Sequence, residues 1–201
     1  CPRQSCYGKK GSAVNDLKFS PNTDGIEQID FRPYMIENAY DYYKICTSST
    51  HQRMSIQAVF CALSIEIILK SFHATVKSNE GQINETYEFE KKKALPKGTN
   101  AHDLMVLYEA LPENIQHYLF NSLDLKTLSA NKDLFTRSRY SYEQNANRSH
   151  NDRIIKLAAS IICKMVYLYR SFGCEDPFIK FFDIEALYFG EVRSFIMCNE
   201  P

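Results

Sequence analysis

The 201-residue chain has no tryptophan and no net charge, since Lys plus Arg and Asp plus Glu number 24 each. Without an excess of positive charge, the protein as a whole does not attract nucleic acid or an anionic membrane, so a phosphate site would have to be local. The seven cysteines contain no C-x-x-C pair, and Cys1 and Cys6 lack a second ligand pair with zinc-like spacing. A disulfide scaffold is not expected in a chain long enough to bury a large core, and we infer a reducing compartment.

Long hydrophobic runs are also missing. The most apolar run covers residues 58–69, whereas a membrane-spanning helix needs about 20 apolar residues, so we predict a core helix here and no membrane partner. A secretion signal consists of a cationic segment followed by an apolar stretch, and we find no such pattern at the start of this sequence. We therefore expect a cytoplasmic protein.

Several enzyme signatures are absent. The five histidines have neither H-x-x-x-H nor E-x-x-H spacing, so we predict no metal and no cofactor. Phosphate-loop glycines, the kinase motifs and a G-x-S-x-G nucleophile elbow are missing as well. These absences exclude a conventional NTPase or hydrolase.

Helical periodicity is the strongest feature that the sequence does have. Pro33 suits the first turn of a helix that runs through Ile45. A second helix is expected over about residues 53–76, apolar nearly all round its middle and therefore central in a bundle. Its main stripe consists of Ile56, Phe60, Leu63 and Ile67.

Three further helices follow from caps and stripes. Asn100 and Asp103 predict the cap of a helix with Leu104, Leu107 and Leu111 on one side. Pro112 predicts the start of another helix, which contains Ile115, Leu119 and Leu123 and gives way to a less regular stretch over residues 124–148. Ser149 and Asp152 predict the cap of the clearest helix, which ends at Gly173. Its stripe is Ile154, Ala158, Ile161, Met165, Leu168 and Phe172.

We therefore predict an all-α protein, an up-and-down helical bundle over residues 29–174. An irregular leader (1–28) precedes it, an insertion (77–99) interrupts it, and an aromatic-rich C-terminal extension (175–201) follows. Ile83, Tyr87 and Phe89 alternate within the insertion and indicate a short hairpin or arm. The aromatic residues of the extension are dense enough that they must cover the flank of the bundle or a second subunit. They are Phe178, Phe181, Phe182, Tyr188, Phe189 and Phe195.

Three motifs, taken in order, resemble the HEPN family of small helical bundles. Residues 66–70 (E-I-I-L-K) are similar to the E-x-x-L-K of that family, and residues 102–104 (H-D-L), followed by Leu107 and L-P at 111–112, are similar to its H-D-L…L…L-P pattern. Phe135 with residues 139–143 (R-Y-S-Y-E) is similar to F…R-Y-x-Y-E. The resemblance covers about residues 35–172. It implies a homodimer that binds an RNA- or nucleotide-type ligand, or a protein partner, in a microbial defence or stress setting.

The RNase branch of this family has an arginine four to six residues before a histidine at the start of the last bundle helix. His150 stands at that place, but Asn145 occupies the nearest comparable spacing and Arg148 is too close. The resemblance thus leaves, as an alternative to a binding module, a metal-independent endoribonuclease centred on His150 and Arg148. Arg148 and Arg153 also flank a helix start whose free N–H groups favour phosphate, unless this is an ordinary exposed helix start.

Two further groups of residues have a functional and a structural interpretation. His102 and Asp103 belong either to a ligand site or to a helix cap with a packed histidine beside it. Glu66 and Lys70 are four residues apart on a helix and predict an ion pair at the end of the bundle. The R-Y-S-Y-E motif at residues 139–143 either forms a pocket for a nucleic-acid base or makes hydrogen bonds that hold an irregular connection in place. The side chains that would do so are Arg139, Tyr140, Tyr142 and Glu143.

Overall fold

A computed structural model of the chain describes residues 18–48, 50, 53–82, 84–134 and 152–192. Of these residues, 61% lie in helices and 6% in strands, which confirms the predicted all-α class at this level. The elements in chain order are α1 (Pro33–Ser48), α2 (Met54–Ser71), β1 (Ala74–Ser78), β2 (Thr86–Phe89), α3 (Lys91–Ala94), α4 (Leu104–Glu109), α5 (Glu113–Leu119), α6 (Ser122–Ala130), α7 (Arg153–Ser171), α8 (Pro177–Phe181), α9 (Ile184–Leu187) and a π-helical turn (Tyr188–Val192).

The longest helix, α7, lies at the centre of the fold. It packs against α1, α2, α5, α6 and the elements that follow it in the chain. The five members of its predicted stripe from Ile154 to Leu168 are buried, and Phe172 is half-buried. The amphipathic pattern of this segment therefore identified the buried face of the central helix.

The end of α7 is also where the sequence predicts it. Gly173 has a φ of +80°, in the left-handed region that glycine adopts without steric cost. Its N–H donates to the oxygen of Arg170 (3.1 Å), and the N–H of Cys174 donates to the oxygen of Tyr169 (3.0 Å). This pair of bonds is the Schellman pattern, which satisfies carbonyls that the last turn leaves open.

The second helix, α2, is shorter than predicted. It ends at Ser71 instead of near Val76, because residues 74–78 form the strand β1. The β-branched Thr75 and Val76 favour this extended conformation. β1 pairs antiparallel with β2, with Val76 opposite Tyr87 and Ala74 opposite Phe89. The arm expected in the insertion is thus a hairpin that begins before residue 77, while Ile83 lies outside the described residues.

The buried face of α2 differs from the predicted one. Cys61 and Ser64 face α1, where the Ser64 hydroxyl donates to the oxygen of Ala39 (2.6 Å), whereas Ile56 of the predicted stripe is 44% exposed. A helix that is apolar nearly all round does not specify by itself which face packs inward. By length and composition α2 could cross a membrane, and half of it is buried within the protein.

The helix expected from Pro112 to Leu123 is in fact two helices. The first helix, α5, ends at Leu119, and Phe120 adopts an extended backbone conformation. Asn121 is then the N-cap of α6. Asn121 and Asp124 form a reciprocal capping box that opens α6, so a helix runs to Ala130, into the stretch 124–148 that the sequence predicts to be less regular. Leu123 belongs to α6 and is 56% exposed, so it does not continue the stripe of α5.

The described part of the leader is irregular, as expected, yet it packs against α7 and the π-helical turn. Phe19 and Ile26 are buried. The ring of Phe19 lies 4.4 Å, between centroids, from that of Tyr188 in the π-helical turn. Residues 1–17, with Cys1 and Cys6, lie outside the described residues.

The described part of the aromatic extension packs against α1 and α7. The rings of Phe178 and Phe182 lie 5.8 and 4.9 Å from the ring of Tyr40 on α1. Phe181 points away and is 84% exposed. Phe195 lies outside the described residues.

Candidate functional site

A buried carboxylate gathers side chains from two of the sequence motifs. Glu66 lies near the end of α2, and its side chain is 4% exposed. Its Oε1 accepts hydrogen bonds from Lys70 Nζ (2.6 Å) and from His102 Nδ1 (2.9 Å). The predicted ion pair of Glu66 and Lys70 is therefore present, and the H-D-L motif contributes a second donor to the same oxygen. We call these three residues the Glu66 cluster.

Local hydrogen bonds position His102 before the start of α4. Asn100 Oδ1 accepts from the N–H of His102 (3.0 Å). Asp103 accepts from the N–H groups of Met105 (2.9 Å) and Val106 (3.3 Å), which makes it the cap of α4. Of the two interpretations of Asp103, the structure thus supports the structural one, because the helix start engages this carboxylate.

The β-hairpin also reaches the Glu66 cluster. Lys70 Nζ lies 5.3 Å from the centroid of the Phe89 ring on β2, within the range of a cation–π contact. Lys70 is thereby held between a carboxylate and an aromatic face. Three parts of the fold meet here: the end of α2, the end of β2 and the segment before α4.

The second oxygen of Glu66 is unusual. Oε2 is buried and has no hydrogen-bond partner among the residues that the structure describes. Burial of an acceptor without a donor costs roughly 1–3 kcal/mol, so native proteins contain few such atoms. They often mark a place that a water molecule, an ion or a ligand satisfies.

The cluster extends from the core to the surface. Glu66 is buried, whereas the side chain of His102 is 46% exposed. A hydrogen bond from Nδ1 to a carboxylate fixes the tautomer of the imidazole and makes Nε2 the nitrogen that can exchange a proton. The arrangement can therefore bind a polar ligand through the histidine or serve as an acid–base pair.

Only the part from Asp152 onward of the helix start that the sequence predicts to bind phosphate lies within the described residues. Arg153 is exposed and is the first residue of α7. Asp152 precedes it but makes no capping hydrogen bond, and its Oδ2 pairs instead with Lys156 Nζ (2.8 Å). Asp152 alone thus does not cap α7, and the predicted cap of Ser149 with Asp152 stays a prediction, because Ser149 lies outside the described residues.

The other predicted site residues all belong to the segment 135–151, which the structure does not describe. Neither the interpretation as a base pocket nor that as a catalytic pair is tested for them. They are Arg139, Tyr140, Tyr142, Glu143, Arg148 and His150.

A surface depression of about 420 Å³ lies between the hairpin, the start of α1 and the start of α8. Its lining includes Glu80, Glu85, Glu175 and Asp176. Carboxylates repel phosphate, so this depression does not suit a nucleotide. Glu85 has a structural role there, since it accepts hydrogen bonds from the Gly81 N–H (2.6 Å) and from the Tyr87 hydroxyl.

Within the part of the chain that the structure describes, no three His, Cys, Asp or Glu side chains come together as metal ligands. The prediction that the protein needs no metal remains a prediction, because part of the chain lies outside that description.

Comparison of the chain with protein-family models, with curated proteins and with solved structures gives no match. The resemblance to the HEPN family therefore rests on the three motifs alone. A mostly helical fold is what such a bundle would have, but helicity does not identify a family.

Proposed function

We propose that the protein is a HEPN-like helical module that binds an RNA- or nucleotide-type ligand at the Glu66 cluster. The observation that carries the proposal is the buried carboxylate of Glu66. One oxygen holds Lys70 and His102, and the other has no partner within the described part of the chain. Homodimerisation, a cytoplasmic location and a role in microbial defence or stress are further parts of the proposal. They rest on the sequence and on its resemblance to the family.

The chemistry of the cluster fits parts of a nucleotide. The ammonium of Lys70 and the half-exposed imidazole of His102 are nitrogen donors suited to phosphate or carbonyl oxygens. Glu66 Oε2 is an acceptor suited to a ribose hydroxyl or to the amino group of a base. Because Lys70 compensates the charge of Glu66, the carboxylate does not impose a net negative field on a phosphate.

Binding of a fluorescent single-stranded RNA and of mononucleotides, measured by anisotropy and by competition, tests this proposal. We expect His102→Ala to weaken binding about tenfold, equivalent to about 1.4 kcal/mol and to the loss of one hydrogen bond with a charged group. His117→Ala is the matched control, because His117 is exposed on α5 and is not part of the Glu66 cluster. Equal binding by both variants and the wild type would refute the proposed site. If the chain binds a protein and no nucleotide, the ligand is the protein partner that the resemblance also implies.

The ribonuclease alternative has His150 as its centre, and one observation adds His102 as a second candidate. The bond from His102 Nδ1 to Glu66 orients the imidazole as in known acid–base pairs. The same RNA samples, incubated in EDTA, would reveal cleavage without a metal. His102→Ala or His150→Ala should then reduce the rate by ~10²-fold or more, the usual effect of losing a general acid or base. Intact RNA in every sample would leave the binding module as the better proposal.

A further inference from the structure

Two buried cysteines on neighbouring helices are in contact. Cys46 lies in the last turn of α1 and Cys61 in the first half of α2, and they are 2% and 0% exposed. Both carry a thiol and not a disulfide, and their Sγ atoms are 3.4 Å apart. A disulfide bond is about 2.05 Å long, so the sulfurs would need to approach each other by about 1.4 Å.

Polar contacts beside the two sulfurs keep α1 and α2 in register. Gln57 Nε2 donates to the backbone oxygen of Cys46 (3.2 Å), and Cys46 Sγ contacts the backbone oxygen of Gln57 (3.4 Å). Deeper in the same helix pair, Ser64 donates to Ala39. The packing of α1 against α2 therefore holds the two cysteines next to each other.

We propose that Cys46 and Cys61 are a redox modification site that closes to an intramolecular disulfide when the protein meets a small oxidised disulfide such as glutathione disulfide. The Cys46 thiolate attacks one sulfur of that disulfide and displaces one glutathione thiolate. The Cys61 thiolate then attacks Cys46 Sγ and displaces the second glutathione. The two protein thiols lose two protons and two electrons, and the disulfide becomes two glutathione thiols.

The packed state protects the pair. The hydrogen bond with Cys46 and burial both raise the pKa of Cys61, so the Cys61 thiolate that completes the disulfide is scarce while the helices are closed. Reaction therefore requires opening of the last turn of α1, which ends two residues after Cys46. Helix ends open more readily than a packed core, so we expect this opening to set the rate at which the disulfide forms.

The sequence provides a direct assay. Trypsin cleaves after Lys44, Arg53 and Lys70, which places Cys46 alone in the peptide 45–53 and Cys61 alone in the peptide 54–70. The full chain is incubated with glutathione disulfide, both without urea and with urea at a concentration below the unfolding transition. The remaining thiols are then blocked, and the protein is digested with trypsin without a reductant. We expect a linked peptide pair whose mass is two hydrogens below the sum of the two peptides, formed faster in urea.

Two serine variants complete the test. Cys46→Ser should abolish the linked pair, and Cys163→Ser should retain it, because the Sγ of Cys163 faces the backbone oxygen of Ile184 (3.8 Å) elsewhere in the core. The proposal fails if the 45–53 and 54–70 peptides stay unlinked under both conditions. It also fails if Cys61 is found joined to glutathione or to another cysteine. These outcomes do not depend on ligand binding, so they are separate from the test of the Glu66 cluster.

Discussion

At the scale of single residues, Lys164 of α7 shows how the bundle accommodates a charge. Its Nζ donates to the backbone oxygen of Leu119 at the end of α5 (2.7 Å). Burial lowers the pKa of Lys164 from its ordinary value of 10.5, because the charged form loses hydration. The hydrogen bond thus positions α5 against α7 at an electrostatic cost.

This lowered pKa predicts a dependence of stability on pH. Below the pKa of the folded state, Lys164 is charged in both states and its burial cost is present in full. As the pH rises through that pKa toward 10.5, the folded protein loses the proton first, the unfolded chain binds more protons, and stability increases. The free energy of unfolding of the wild type should therefore rise with pH relative to that of Lys164→Met, measured with urea at each pH.

Lys126→Met is the control for this measurement, since Lys126 is exposed on α6. Its difference from the wild type should not change with pH over the same interval. A pH-independent difference between the wild type and Lys164→Met would contradict the assigned effect of burial.

At the scale of secondary-structure elements, two aspartates occupy corresponding positions but act differently. Asp103 accepts two backbone hydrogen bonds at the start of α4, whereas Asp152 at the start of α7 accepts none and pairs with Lys156. We expect Asp103→Ala to lower the free energy of unfolding by about 1 kcal/mol, the usual cost of losing an N-cap. Asp152→Ala should cost less than about 0.5 kcal/mol, as for an i, i+4 ion pair. Urea unfolding followed by circular dichroism checks both, and equal losses would contradict the distinction.

At the scale of the whole molecule, the aromatic extension has two roles to separate. Ile179 and Ile184 are buried against the bundle, so deletion of residues 175–201 would destabilise even a monomer. Phe181 is 84% exposed and offers a cleaner test. An exposed apolar side chain contributes little to the stability of the monomer but can contribute to an interface.

We expect light scattering to give the mass of a dimer at micromolar concentration. If the extension forms the interface, Phe181→Ser should shift the mass toward the monomer without changing the melting temperature. Leu123→Ser is the control, since Leu123 is also exposed but lies on α6. A monomeric wild type would refute the dimer, and a dimer that persists in Phe181→Ser would place the interface elsewhere.

Features that depend on neighbours along the chain could be predicted from the sequence. The stripe of α7, its end at Gly173, the cap at Asp103 and the Glu66–Lys70 pair were all predictable, because periodicity and capping act within a few residues. The tertiary structure alone decided which face of the apolar helix α2 is buried. It also brought His102 to Glu66 across 36 residues and Cys46 to Cys61 across 15. Such contacts depend on how packed helices are rotated against each other, which a local pattern does not specify.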